Sequence, residues 1–211
     1  MASDKDEVQL RFADDVKDHR LRVAHDSGLH RHLEFRRPGT IVMWFDVVTW
    51  PGGLLIDGDM GTFAFRSRGD MLAFFRREPQ QRPVDAYYWT QKLSAMDRDG
   101  THEYDADRFR AAVTDDLNQY LEDEPDDPDL RAAVNREVLA YADDGEYAAI
   151  GAAMDFTYKG KQVFPDFYEH RLQEPTYQYL WCLHAIPWAV SRYDEHAAAL
   201  ATAPAVTRET A

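Results

Sequence analysis

The fold of this chain is decided by residues 21–65, which read LRVAHDSGLHRHLEFRRPGTIVMWFDVVTWPGGLLIDGDMGTFAF. Apolar and polar residues alternate along much of this stretch, and turn-forming sequences rich in glycine, proline and aspartate interrupt the alternation. Turns this short make successive strands antiparallel neighbours. We therefore predict an antiparallel β-meander of about five strands over residues 20–66.

The register of the first hairpin follows from the faces of its two strands. A two-residue loop of Ser27 and Gly28 mixes apolar with polar side chains on each face. A three-residue loop from Asp26 to Gly28 instead sets Leu21 opposite Leu33, and we predict this loop. It gives an apolar face with Leu21, Val23, Leu29, Leu33 and Phe35, and a polar face with Arg22, His30, His32, Glu34 and Arg36.

The next strand, predicted from Ile41 to Val48, carries large apolar side chains on both faces. That pattern is typical of a central strand that is covered on two sides. Asp46 interrupts the apolar run, so its carboxylate needs a partner. It either has a pKa shifted toward catalytic use or, as we favour, forms a salt bridge to Arg36 or Arg66.

The remaining residues favour helices, and the whole predicts an α+β fold in which the meander packs against a helical C-terminal half. Residues 1–19 form an N-terminal helix, and residues 67–196 are mostly helical. We predict a single domain over residues 1–196, followed by a disordered tail over residues 197–211.

Composition restricts the classes of function. The chain has 211 residues and a formal net charge of −14, so it has little electrostatic attraction for phosphates, and nucleic acid is an unlikely ligand. No apolar run reaches the length of a membrane span, and the charged start lacks the apolar stretch of a secretory signal, so we expect a cytoplasmic protein without membrane contact. Cys182, the one cysteine, excludes an intramolecular disulfide.

A metal site is the sharpest local hypothesis. Alternate residues of a strand point the same way, so His30, His32 and Glu34 present two imidazoles and a carboxylate on one face. Arg22 and Arg36 on the same face would repel a cation. The simpler interpretation is the polar face of a hairpin.

A ligand site at the rim of the meander is the second local hypothesis. It would lie where Asp46, the turn at Trp50 and the turn from Asp57 to Gly61 approach the face that carries His30, His32 and Glu34. Its candidate ligand-binding residues are Asp46, Trp50, Asp57, Asp59 and His32. The turn at Asp57 to Gly61 is also explained by the glycines that a hairpin needs. No catalytic residue can be named, because the sequence has no nucleophile motif.

Three segments carry a resemblance: residues 35–40 (FRRPGT), 50–54 (WPGGL) and 58–61 (GDMG). With residues 141–146 (YADDGE), 164–167 (FPDF) and 179–182 (YLWC), the chain resembles a family of hypothetical proteins from bacteriophages, prophages and mobile elements. The resemblance implies an accessory role inside an infected bacterium, such as inhibition of a host defence system. It implies no activity or catalytic residue.

Two hypotheses about function follow. The first is a non-enzymatic protein that binds a host or phage protein through its acidic helical half. The second is a small-ligand-binding protein or metal-dependent enzyme with its site at the rim of the meander. We favour the first, because no acid, base and nucleophile can be assigned.

Overall fold

The computed structural model describes residues 4–76, 85–123 and 127–202. Seven α-helices, two short 3-10 helices and ten strands are found in these residues. The helices are α1 Asp4–Val16, α2 Met71–Phe75, α3 Ala86–Thr90, α4 Ala106–Asp123, α5 Pro128–Glu137, α6 Glu146–Asp155 and α7 Tyr177–Thr202. The longer strands are β1 Arg20–Ser27, β2 His30–Arg36, β3 Phe45–Trp50, β4 Gly53–Gly58, β5 Gly61–Arg66 and β6 Leu93–Met96. The short strands are β7 His102–Tyr104, β8 Thr157–Tyr158, β9 Lys161–Gln162 and β10 Gln173–Pro175.

The predicted α+β fold with an N-terminal antiparallel meander is confirmed. Strands β1 to β6 form one antiparallel sheet in sequence order, and most of the helices follow the meander. The sixth strand, β6, joins the edge of the sheet beside β5 after α2 and α3. Its four residues carry too little alternation to predict a strand.

One face of this sheet supports the apolar core. Side chains from β2 to β5 on this face are fully or almost fully buried: Leu33, Phe35, Phe45, Val47, Leu54, Ile56, Phe63 and Phe65. Helices α1 and α7 pack in the same cluster, where the ring of Trp181 meets Phe12 and Phe45 edge-on at 5.1 and 5.5 Å between ring centroids. The Trp181 indole N–H donates a hydrogen bond of 2.9 Å to Asp15, so its polar atom has a partner as well.

The register of the first hairpin differs from the prediction. Leu21 lies opposite Phe35 and not Leu33, and the loop contains two residues, Gly28 and Leu29. An irregularity between Val23 and His25 shifts the pairing by one residue. This β-bulge keeps the apolar side chains of β1 on the core face even though the loop is short.

The third strand is central, as predicted, but it begins at Phe45 and not at Ile41. Met43 has a φ of +58°, a left-handed conformation that cannot continue a strand. The Met43 N–H donates to the Asp59 carboxylate at 2.5 Å, and His19 Nε2 donates to the Met43 carbonyl at 2.8 Å. Ile41 and Val42 are therefore held in an exposed loop, where Ile41 is 81% exposed.

The chain divides into two compact units. The sheet unit takes the described residues up to Thr101 and from Pro175 onward, and the helical unit spans His102–Glu174. The helical unit buries an apolar cluster of its own, which includes Phe109, Val113, Leu117, Val134, Phe164 and Phe167. That residues 1–196 fold as a single domain stays a prediction.

The C-terminal helix extends further than predicted. Helix α7 ends at Thr202, so residues 197–202, predicted as part of a disordered tail, are helical. The remainder of that tail lies outside the described residues. None of the helices in the described residues combines the length and apolarity needed to cross a membrane.

Candidate functional sites

A line of polar side chains crosses the sheet on the face opposite the apolar core. Cross-strand pairing sets Arg22 opposite Glu34, Glu34 opposite Asp46, Asp46 opposite Asp57, and Asp57 opposite Thr62. We call these five residues the polar row. Three carboxylates in direct succession across a sheet repel each other unless cations or donors compensate them.

The two end residues of the polar row, Arg22 and Thr62, each donate hydrogen bonds to the carboxylate beside them. Arg22 donates two hydrogen bonds, of 2.6 and 2.7 Å, to the two oxygens of Glu34. These bonds lower the pKa of Glu34 below its ordinary value. At the other end, the Thr62 hydroxyl donates to Asp57 at 2.5 Å, which satisfies an oxygen without neutralising the charge.

Asp46 lies at the centre of the row and has two partners. Arg36 Nη1 lies 2.7 Å from Asp46 Oδ1, so one of the two predicted salt bridges is present. This ion pair lacks hydrogen-bond geometry, because Nη1 bonds instead to the carbonyls of Phe35 and Phe45. His32 Nε2 lies 2.9 Å from the other oxygen, Oδ2.

Three of these side chains form a candidate metal centre. His32, Glu34 and Asp46 each offer one ligand atom, and the three atoms lie within 4.8 Å of one another. Two of them belong to the trio proposed from the sequence. The third position is taken by Asp46 from the neighbouring strand, whereas His30 is exposed at the start of β2 opposite Ser27.

The residues of the predicted rim site do not all meet. Asp46 and His32 are in contact, and Asp57 lies beside Asp46. Trp50 and Asp59 belong to the turns at opposite ends of the β3–β4 pair. The Trp50 ring packs so closely on Gly53 that a Cβ has no room there, and Asp59 fixes the backbone of Met43, so each has a structural contact.

A second candidate surface lies in the helical unit, which carries most of the net charge. Residues 102–174 contain 19 Asp and Glu against 7 Lys and Arg, a balance of −12. The rest of the chain contains 19 against 17, a balance of −2. Several cations of the helical unit are already paired inside it, including Arg110 with Asp143 at 2.5 Å and Lys159 with Asp127 at 2.7 Å.

Two tyrosines flank a turn on this unit. Tyr141 and Tyr147 are 44% and 95% exposed, and Asp143 and Asp144 between them are exposed as well. Gly145, with a φ of +96°, reverses the chain ahead of α6, which begins at Glu146. We call residues 141–147 the acidic turn.

Sequence reasoning missed two parts of these sites. The polar row needs the pairing of five strands, which the alternation along a single strand does not reveal. The exposure of Tyr147 was missed because an aromatic residue at the start of an alanine-rich helix is equally compatible with burial. The one available signal was the sequence 141–146, which belongs to the resemblance.

The chain matches no protein-family model, no curated protein and no solved structure. The resemblance to proteins of phages and mobile elements therefore stays a prediction.

Proposed function

We propose that this protein is a non-enzymatic accessory protein that binds a partner protein with a basic surface, using the acidic turn of its helical unit. The observation that carries the proposal is Tyr147, an aromatic side chain that is 95% exposed inside a unit with a charge balance of −12. The resemblance supports a partner from a phage or its bacterial host, such as a component of a defence system.

The acidic turn has the composition of a binding surface. Tyrosine is enriched among the residues that dominate binding energy, because its ring buries a large area and loses little conformational entropy. The Tyr147 ring is not used in the core of the folded chain but lies in solvent. A partner that covers the ring removes its apolar surface from water, which favours binding.

The charge of the helical unit supports a basic partner. Exposed carboxylates such as Asp144 steer a positively charged surface toward the turn and repel acidic proteins and nucleic acids. Arg110 donates a hydrogen bond to Asp143, which restrains this carboxylate of the turn before binding. A prearranged turn loses less entropy when it binds.

The test is capture of proteins from a bacterial lysate by the immobilised full chain, compared between variants. We expect at least one protein that the wild type captures at about 0.05 M salt and loses at about 0.5 M salt, where charges are screened within a few ångströms. Tyr147→Ala and Asp144→Asn should each weaken its binding about 10-fold or more, measured with the purified partner.

Tyr168→Ala is the matched control, because Tyr168 is exposed in the same unit beside Asp166 and Glu169 but lies outside the acidic turn. It should bind the partner as the wild type does. Capture that is equal for all variants, or that does not respond to salt, would contradict the proposal.

A further inference from the structure

We propose that His32, Glu34 and Asp46 form a binding site for one divalent transition-metal ion of the zinc class. The site lies on the sheet unit and is independent of the acidic turn. It differs from the trio that the sequence predicts, because Asp46 replaces His30.

The spacing of the donors fits a single ion. Zinc binds imidazole nitrogen and carboxylate oxygen at about 2.0 to 2.2 Å, so adjacent ligands of one ion are about 3 Å apart. His32 Nε2 and Asp46 Oδ2 are 2.9 Å apart. The Glu34 oxygen completes the set within 4.8 Å, and an ion among the three atoms would take the place of the hydrogen bond between His32 and Asp46.

The charge balance of the polar row favours a cation. Glu34, Asp46 and Asp57 carry three negative charges, and the only guanidinium groups paired with them in the described residues are those of Arg22 and Arg36. One carboxylate is therefore left over when His32 is neutral. That carboxylate is Asp57, which is not one of the three ligands but lies opposite Asp46 in the row, so its negative charge favours a cation beside it.

The environment of Asp46 gives a separate indication. Its Oδ1 is buried and makes no hydrogen bond in the described residues, although it lies beside the Arg36 charge. The ion pair with Arg36 compensates the charge of this oxygen, and the hydrogen-bonding capacity that it has left is open to a water or an ion. Both Glu34 oxygens accept hydrogen bonds from Arg22, so a Glu34 oxygen that binds the ion would keep this guanidinium as its outer partner.

The donor types define the class of ion. An imidazole beside two carboxylates suits zinc, iron and manganese, whereas calcium and magnesium prefer oxygen ligands alone. His32 is 38% exposed on its side chain, which leaves a path for the ion to enter. Three protein ligands leave coordination positions for water or a small ligand.

Calorimetric titration of the metal-depleted full chain with Zn²⁺ tests the proposal. We expect one equivalent to bind, with affinity reduced more than about 10-fold in His32→Ala and in Asp46→Asn. His30→Ala is the matched control, because His30 is exposed two residues away on the same strand, and it should bind as the wild type does.

Thermal unfolding in the presence of a chelator shows whether each variant is folded. If Asp46→Asn unfolds because Arg36 loses its partner, the test rests on His32→Ala. This variant should stay folded, because the His32 side chain is partly exposed. Absence of stoichiometric binding, or an equal loss in His30→Ala and His32→Ala, would overturn the site. The titration needs no partner protein, so its outcome is separate from that of the capture experiment.

Discussion

The sheet unit and the helical unit both bury an aromatic core, but they treat charge in different ways. In the sheet unit, carboxylates such as Glu34 and Asp46 form ion pairs with guanidinium groups, and the balance is −2. In the helical unit, the cations are outnumbered by 19 acidic residues to 7. The fold of the helical unit does not require this excess, because its buried cluster is apolar.

The largest expected effect comes from substitutions in the apolar cores of the two units. Phe35 in the sheet unit and Phe109 in the helical unit are both fully buried. Replacing either with alanine should cost about 3 to 5 kcal/mol of unfolding free energy, from lost burial and the cavity left behind.

Hydrogen exchange then shows where protection is lost. Because the described buried residues form two separate clusters, we expect Phe109→Ala to lower protection within residues 102–174 and Phe35→Ala to lower it in the sheet unit. Equal loss across the chain in both variants would support the single domain that the sequence predicts.

A histidine with a buried ring nitrogen gives an intermediate effect. His170 of the helical unit lies 2.8 Å from Asp116, whereas the buried His184 Nε2 of the sheet unit has no hydrogen-bond partner in the described residues. Burial lowers the pKa of His184 below its ordinary value of 6.5. The unfolded chain therefore takes up a proton that the folded chain resists, and stability is lost as the pH falls below 6.5 toward the lowered value.

The substitution His184→Leu should remove this loss of stability at low pH. The variant should be more stable than the wild type by about 1 kcal/mol near pH 5, and the difference should shrink near pH 7.5. Urea unfolding at the two pH values measures it. The other histidines with lowered pKa values, His19 and His102, are present in both proteins and cancel in the comparison. A gain that is the same at both pH values would contradict this account of His184.

The smallest effect concerns the polar row itself. Among the described residues, Asp57 has a hydroxyl partner but no cation partner, and it faces Asp46 across the strand pair. Asp57→Asn keeps an acceptor for Thr62 and removes a like-charge contact, so it should stabilise the protein by about 0.5 kcal/mol.

Glu34→Gln is the matched control, because it breaks the ion pair with Arg22 in the same row and should destabilise by up to about 1 kcal/mol. Thermal unfolding at low ionic strength compares the two. The same sign for both substitutions would show that charge balance does not govern the row.

The sequence predicted the parts of the fold that depend on local pattern. Alternation assigned Leu33 and Phe35 to the core face and His32 and Glu34 to the opposite face, and both assignments agree with the structure. The salt bridge between Arg36 and Asp46 was also foreseen, since a carboxylate in an apolar strand needs a cation. The start of β3 was not, because the left-handed Met43 depends on Asp59, which lies 16 residues away.

By itself, then, the sequence determined the meander, the two faces of its strands and the acidity of the chain, because strand periodicity and charge are properties of neighbouring residues. Only the tertiary structure decided which residue stands opposite which. A bulge after Val23 set the hairpin register, and pairing of β2 with β3 brought Asp46, in place of His30, to His32 and Glu34. Register depends on how the strands pack against one core, and a one-residue shift changes every cross-strand neighbour.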